Sequence, residues 1–319
     1  MELHVTIQQC FSSYLHYRSF FYLSKYKLLT PMARVLSFVL FLFIFLSSCK
    51  KDKEVIIGNN TPPPDGTISN VVKENYVNKS YISVLGRKPD ATELSAGLTI
   101  LNQHNISVAD RTQLLDDIFA KPGYNQRLYD ISVATLLNNL DTALITQSIV
   151  VFTLLLTDVN YQSLWPQIQI EKARLEVLKK SVADLNSGTI SIIGLHRRCA
   201  NNYFYDLINM GTENFVISMF QNFLYRYPTD DELTQGKQIV DGFEGVLFLQ
   251  TGHVKDDFLT IFFGCNNYFE GQVRDLYKKY LFREPTSVEM SAQATAYKNS
   301  LDYKALQKAI LSTDEYVGL

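Results

Sequence analysis

Leu85-Gly86-Arg87-Lys88-Pro89-Asp90-Ala91-Thr92-Glu93-Leu94 is a ten-residue element that the chain uses three times without a gap. The second copy runs Leu224-Tyr225-Arg226-Tyr227-Pro228-Thr229-Asp230-Asp231-Glu232-Leu233, and the third Leu281-Phe282-Arg283-Glu284-Pro285-Thr286-Ser287-Val288-Glu289-Met290. Asp90, Thr229 and Thr286 are good helix N-caps. Glu93, Glu232 and Glu289 follow three residues later, the spacing of a capping box, in which two side chains satisfy amides that a helix start leaves without partners. Pro89, Pro228 and Pro285 bias the residue before them away from helix, so each copy separates two helices. Arg87, Arg226 and Arg283 fall near the end of the preceding helix, where a cation interacts favourably with the last carbonyls. They also stand within reach of the capping-box glutamate. Each copy is expected to be a helix-turn-helix corner, with its recurring residues spent on structure.

Outward from the corners, apolar residues recur at helical spacing from about Val71 onward, and the few prolines fall between periodic segments. Leu175, Leu178, Val182 and Leu185 alternate steps of three and four on one predicted helix, where Glu176 and Lys180 make an i,i+4 pair. Residues 149–156 are continuously apolar, too short a run to cross a bilayer, and read as a fully buried turn or two of helix. Gly242, Gly245 and Gly252, with His253, mark a longer loop. The expected fold class is all-α: a helical repeat or irregular helix bundle built from helix-turn-helix modules with capping-box corners.

A tyrosine follows each corner at the end of an apolar helical stretch, in Lys121-Pro122-Gly123-Tyr124, Cys265-Asn266-Asn267-Tyr268 and Thr313-Asp314-Glu315-Tyr316. Modules are therefore expected at about 76–124, 215–268 and 269–319, within a domain of 71–319. A fourth tyrosine, in Cys199-Ala200-Asn201-Asn202-Tyr203, has no such corner before it, so residues 128–210 are either a decayed module or a helical insertion.

The corner, the amphipathic interval and the closing Ser312-Thr313-Asp314-Glu315-Tyr316 resemble the helical repeat of the DUF4214 family and, more distantly, the phycobilisome linker domain. The resemblance covers about 76–124 and 215–316. It implies an extracellular or scaffolding role and brings no catalytic residues with it.

The other informative stretch lies upstream. Arg34, an apolar run over residues 35–46, and Leu46-Ser47-Ser48-Cys49 have the basic start, short apolar core and small residues of a secretory signal, and the last four resemble a bacterial lipobox. The expectation is an upstream extension at 1–31 ahead of a true start at Met32, a signal peptide at 32–48, and a lipidated Cys49. Residues 49–70, with Pro62-Pro63-Pro64 and flanking Gly and Asn, read as a tether that reaches on the order of 60 to 70 Å when extended. Two acyl chains suffice for stable anchoring, so the partner of Cys49 is the membrane. Lys50 after the cysteine, and a charged cluster resembling the surface-export tag of Bacteroidetes lipoproteins, point to the outer membrane, on its periplasmic or surface face.

Beyond residue 48 the chain carries 26 basic and 31 acidic side chains, a formal charge of −5. A mildly acidic body lacks the basic stripe that replaces phosphate counterions, so no nucleic-acid partner is expected. Cys199 and Cys265 either pair as a disulfide or remain buried thiols; spacing does not choose between them. His104, His196 and His253 stand at no metal-ligand spacing. No nucleophile elbow, phosphate loop, dinucleotide fingerprint or haem site occurs in the sequence, so neither cofactor nor enzymatic activity is expected. The expected role is a non-enzymatic, membrane-anchored scaffold or protein-interaction module of the cell envelope. A glycan-binding surface lipoprotein is the alternative, and an enzyme acting on envelope polymers stands third.

Overall fold

A computed structural model describes residues 68–319. The extension 1–31, the signal segment 32–48, Cys49 and the tether up to residue 67 lie outside the described residues. What is described is all-α, with a single two-stranded hairpin.

The first module comprises α1 (Asn70–Leu85), α2 (Ala91–Leu101) and α3 (Val108–Phe119), and α4 (Tyr124–Leu136) begins at its tyrosine. An apolar hairpin follows: α5 (Thr142–Leu155), a 3-10 turn at Val159–Leu164, and α6 (Trp165–Lys179). Then come α7 (Ser181–Asn186), α8 (Ile192–Ala200), α9 (Tyr203–Ile208) and α10 (Thr212–Leu224). The second corner leads into α11 (Asp230–Val240), strands β1 (Gly245–Leu247) and β2 (Gln250–Gly252), and α12 (Lys255–Gly264). The last module is α13 (Asn266–Leu281), α14 (Ser287–Ser300), α15 (Tyr303–Leu311) and α16 (Asp314–Val317).

The three corners share one set of bonds. Each arginine forks onto its glutamate through two hydrogen bonds of 2.6–2.9 Å, Arg87 to Glu93, Arg226 to Glu232 and Arg283 to Glu289. Each also donates to the carbonyl of the next residue at 3.0–3.1 Å. The glutamates accept from the amides of Asp90, Thr229 and Thr286, and those side chains accept from the glutamate amides in return. The residue before each arginine is left-handed: Gly86 at φ 72°, Tyr225 at 56° and Phe282 at 57°. Glycine adopts that conformation freely, whereas Tyr225 and Phe282 hold it at a steric cost.

These bonds make the corners acid-labile. Arg87 holds Glu93 down at about 2, and Arg283 does the same for Glu289. Burial resists the ionisation of Glu232, but Arg226 and the Thr229 amide outweigh it and leave that carboxyl below its usual range. A carboxylate whose folded pKa is depressed contributes stability that is complete above its unfolded value, here 4.5, and is lost as pH falls toward 2. The melting temperature is therefore expected to fall between pH 4.5 and 2. Replacing all three glutamates by glutamine should lower it at pH 7 and flatten that acid limb. A limb of unchanged steepness in the triple variant would refute this account.

In the middle segment α4, α7 and α8 pack on one another, as α1, α2 and α3 do, and Tyr203 opens the next helix. The α5–α6 hairpin lies between α4 and α7 in the chain; the Trp165 indole donates to the Leu155 carbonyl at 3.1 Å and closes its turn.

Several local expectations need correction. Residues 149–156 are not fully buried: Phe152 is, but Val150 is 53% and Leu154 62% exposed, because no other element among the described residues covers that side of α5. The helix expected through Leu185 breaks at Lys180, and Glu176 pairs instead with Lys172 at 2.7 Å. The glycine-rich loop contains the β1–β2 hairpin, with Gly245 opposite Gly252. Cys199 and Cys265 are separate, buried free thiols, so the disulfide alternative is not realised. Burial pushes Cys199 up to about 12 and Cys265 up to about 11, which keeps both protonated and unreactive.

The last module folds back onto the first. The Tyr316 hydroxyl meets Ser83 Oγ at 2.8 Å, the Tyr76 hydroxyl donates to the Leu311 carbonyl at 3.1 Å, and the Tyr124 hydroxyl donates to Gln307 at 2.6 Å. Buried Arg111 donates to the Ser312 carbonyl at 2.9 Å and to Asp314 at 2.6 Å. Modules joined only by sequence neighbours would form an open stack; these bonds span more than 180 residues and close it.

Candidate functional site

The corner residues do not converge. Each Arg, cap and Glu is engaged at its own corner, with Arg283 also forking onto Glu315 at 2.7 Å, so they form no common site. The body's histidines are dispersed as well: His104 Nδ1 lies 2.9 Å from Asp110, and the His253 amide donates to Asp257. Among the described residues no group of three or more His, Cys, Asp or Glu is placed to hold a metal ion.

His196 is different. It stands on α8 with Nδ1 2.8 Å from the Tyr268 hydroxyl and its ring 5.2 Å from that of Phe223. Burial pushes its imidazole down to about 3, so it is a neutral hydrogen-bonding group. It lines a cleft of about 430 Å³ where the middle, second and third modules meet, between α4, α8, α10, α13 and the start of α15. That volume is within the usual range for small-molecule sites.

The register of the repeat explains why the cleft is polar there. Nine residues before the corner leucine, the first two modules place Tyr76 and Phe215, both buried, and the third places Gln272. Eight residues before it stand Val77, Val216 and Val273, all buried, so the register is shared and only the chemistry of the preceding position changes. Gln272 is 4% exposed and lines the cleft one helical turn beyond Tyr268, the residue that holds His196. Among the described residues none hydrogen-bonds its amide. Gln307, also buried, shows the usual arrangement: it accepts from Tyr124 and donates to the Tyr280 hydroxyl at 2.7 Å.

Other cleft residues are partly engaged. Asn222 gives Nδ2 to the Tyr205 hydroxyl at 3.1 Å, which leaves its carbonyl oxygen. Asp275 accepts from the Tyr225 hydroxyl at 2.7 Å through one oxygen, which leaves the second. Lys278 is paired with Glu284 at 2.7 Å. Its neighbour Lys279 has no carboxylate within ion-pair distance among the described residues; burial, countered by Asp275 and reinforced by Arg127 on α4, holds its ammonium below the usual range. Phe223, Tyr225 and Tyr303 supply aromatic wall.

Sequence reading centred on the corners missed this cleft. The signal was present in the aligned modules, as one glutamine in a column of buried aromatics.

No family model, no curated protein and no solved structure matches the chain.

Proposed function

We propose that the protein is a membrane-anchored, non-enzymatic helical lipoprotein of the cell envelope, held through Cys49 and acting as a scaffold for an envelope protein partner. The observation that carries this reading is the α5–α6 hairpin. It interrupts the repeat, and insertions into repeat arrays commonly form binding faces. Val150, Leu154, Val159 and Ile170 are all exposed on it. Among the described residues no single helix is long and apolar enough to cross a membrane; the α5–α6 pair, bent by 110°, passes by length and composition only when its two parts are taken together.

The second reading is glycan binding, and the aromatic-walled polar cleft favours it. Hydrolysis has less support, because the usual glycosidase design needs two carboxylates flanking the bond. The cleft is lined by one, Asp275, already bonded to Tyr225.

Affinity purification from envelope fractions tests the scaffold. The wild-type chain is expected to retain a reproducible protein that a Val150→Asp/Leu154→Asp form loses without loss of thermal stability. Processing of Cys49 is expected to be blocked by globomycin, and Cys49→Ala to leave the membrane fraction. Identical partner profiles for the wild-type and hairpin forms would sink the scaffold reading, and normal membrane retention of Cys49→Ala would sink the anchor.

A further inference from the structure

We infer that the cleft between the middle, second and third modules binds a saccharide carrying one negatively charged group, a uronic acid or a sugar phosphate. The inference rests on the glycan-binding reading and specifies its ligand. Its starting point is Gln272, which replaces an aromatic at a repeat core position, is buried, and spends neither end of its amide on the protein. Its amide opens onto the cleft, where it offers a bound molecule both an acceptor and donors. A sugar ring satisfies the surrounding chemistry. Its hydroxyls both donate and accept, as the Gln272 amide, the neutral His196 ring, the Asn222 carbonyl oxygen and the second Asp275 oxygen require. Its apolar ring face fits against the Phe223, Tyr225 and Tyr303 wall. The cleft holds roughly one or two such rings by volume.

The charged group follows from the local balance. Asp275 is the one carboxylate lining the cleft among the described residues, and Lys278 shares Glu284, outside it, with Arg274. Lys279 lacks a carboxylate partner, and Arg127, close enough to act on it electrostatically, makes no ion pair either. Arg127 is pinned against the backbone of Gly86, where an added Cβ would lie 2.8 Å from its Nε, and that Nε is buried with no partner. Lys279 thus lines the cleft without a carboxylate partner among the described residues, and Arg127 adds positive potential to it. A carboxylate or phosphate on the sugar supplies the missing charge.

Calorimetric titration of the full chain with glucuronic acid, glucose 6-phosphate, glucose and inorganic phosphate tests this. At least one charged sugar is expected to bind about tenfold or more tightly than glucose, the value of one charge-assisted bond, and more tightly than inorganic phosphate. Which charged sugar binds identifies the group. Lys279→Met should bring the charged sugar down to the level of glucose. Gln272→Leu should weaken every sugar about tenfold with the melting temperature unchanged or raised. Absence of binding by either charged sugar to folded protein would overturn the inference, as would affinity that both variants leave intact, or inorganic phosphate binding as tightly as glucose 6-phosphate. Equal binding of glucose and the charged sugars would overturn the charge assignment alone and leave the glycan-binding reading standing.

Discussion

Gly271→Ala should cost this protein most of its stability, although alanine is ordinarily the better helix former. A Cβ at position 271 in α13 would sit 1.9 Å from the Phe223 carbonyl oxygen, 3.0 Å from its carbonyl carbon and 3.4 Å from Leu224 Cα. All three are backbone atoms of the end of α10, so no side-chain rotation relieves the clash. Helix α10 must move, and it carries Phe220 and Phe223, whose rings pack against Phe262 at 5.4 and 6.2 Å in the core of the second module. Overpacking usually costs about 1–3 kcal/mol; displacement of a helix should bring the loss above about 4 kcal/mol. Gly264→Ala, at the end of α12 with open space around the added methyl, is the control and should be neutral or stabilising by up to about 1 kcal/mol. Urea denaturation distinguishes the two. A Gly271→Ala form with the wild-type midpoint would show that α10 and α13 do not approach this closely.

Tyr316→Ala should be nearly as severe, with damage at a defined place. The ring is fully buried, meets Tyr76 and Tyr280 edge-on at 6.0 and 6.2 Å, and lies under the Lys79 ammonium at 3.9 Å. Removing a buried aromatic of this size costs about 3–5 kcal/mol. Tyr316→Phe loses the Ser83 bond alone and should cost about 1 kcal/mol. Because Tyr316 is where the last module grips the first, hydrogen exchange in α1 and α3 should accelerate more than in α11 and α12. Uniform acceleration over all modules would mean that the closure is not an independent joint.

The corners were legible because their chemistry is local. Cap, glutamate, proline and arginine lie within ten residues, and the bonds they make, Arg87 to Glu93 and its two counterparts, need no distant partner. What the corners do not encode is which modules meet. Gln307 and Tyr124 are 183 residues apart, and neither carries a mark of the other. The outer side of α5 was misjudged for a related reason: hydropathy reports that Val150 and Leu154 are apolar, not whether another helix arrives to cover them. Nor does residue type reveal that Tyr225 and Phe282 adopt the backbone conformation of Gly86, since only glycine advertises it. The cleft was half legible. Gln272 stands out once modules are aligned beyond their corners, but its meeting with His196, Asn222 and Asp275 depends on the packing of three modules.

The return of the last module to the first also sets a limit on how this chain can vary. An open array of helical repeats tolerates added or lost units at its ends and relies on terminal repeats with polar outer faces to stay soluble. Here the two ends serve as each other's caps, through Arg111 with Asp314 and Tyr76 with Leu311. Duplicating or deleting one unit would leave both terminal faces bare and mismatched. The number of modules is thus fixed by geometry, and the tolerated route to new surface is insertion between helices, as with the α5–α6 hairpin between α4 and α7.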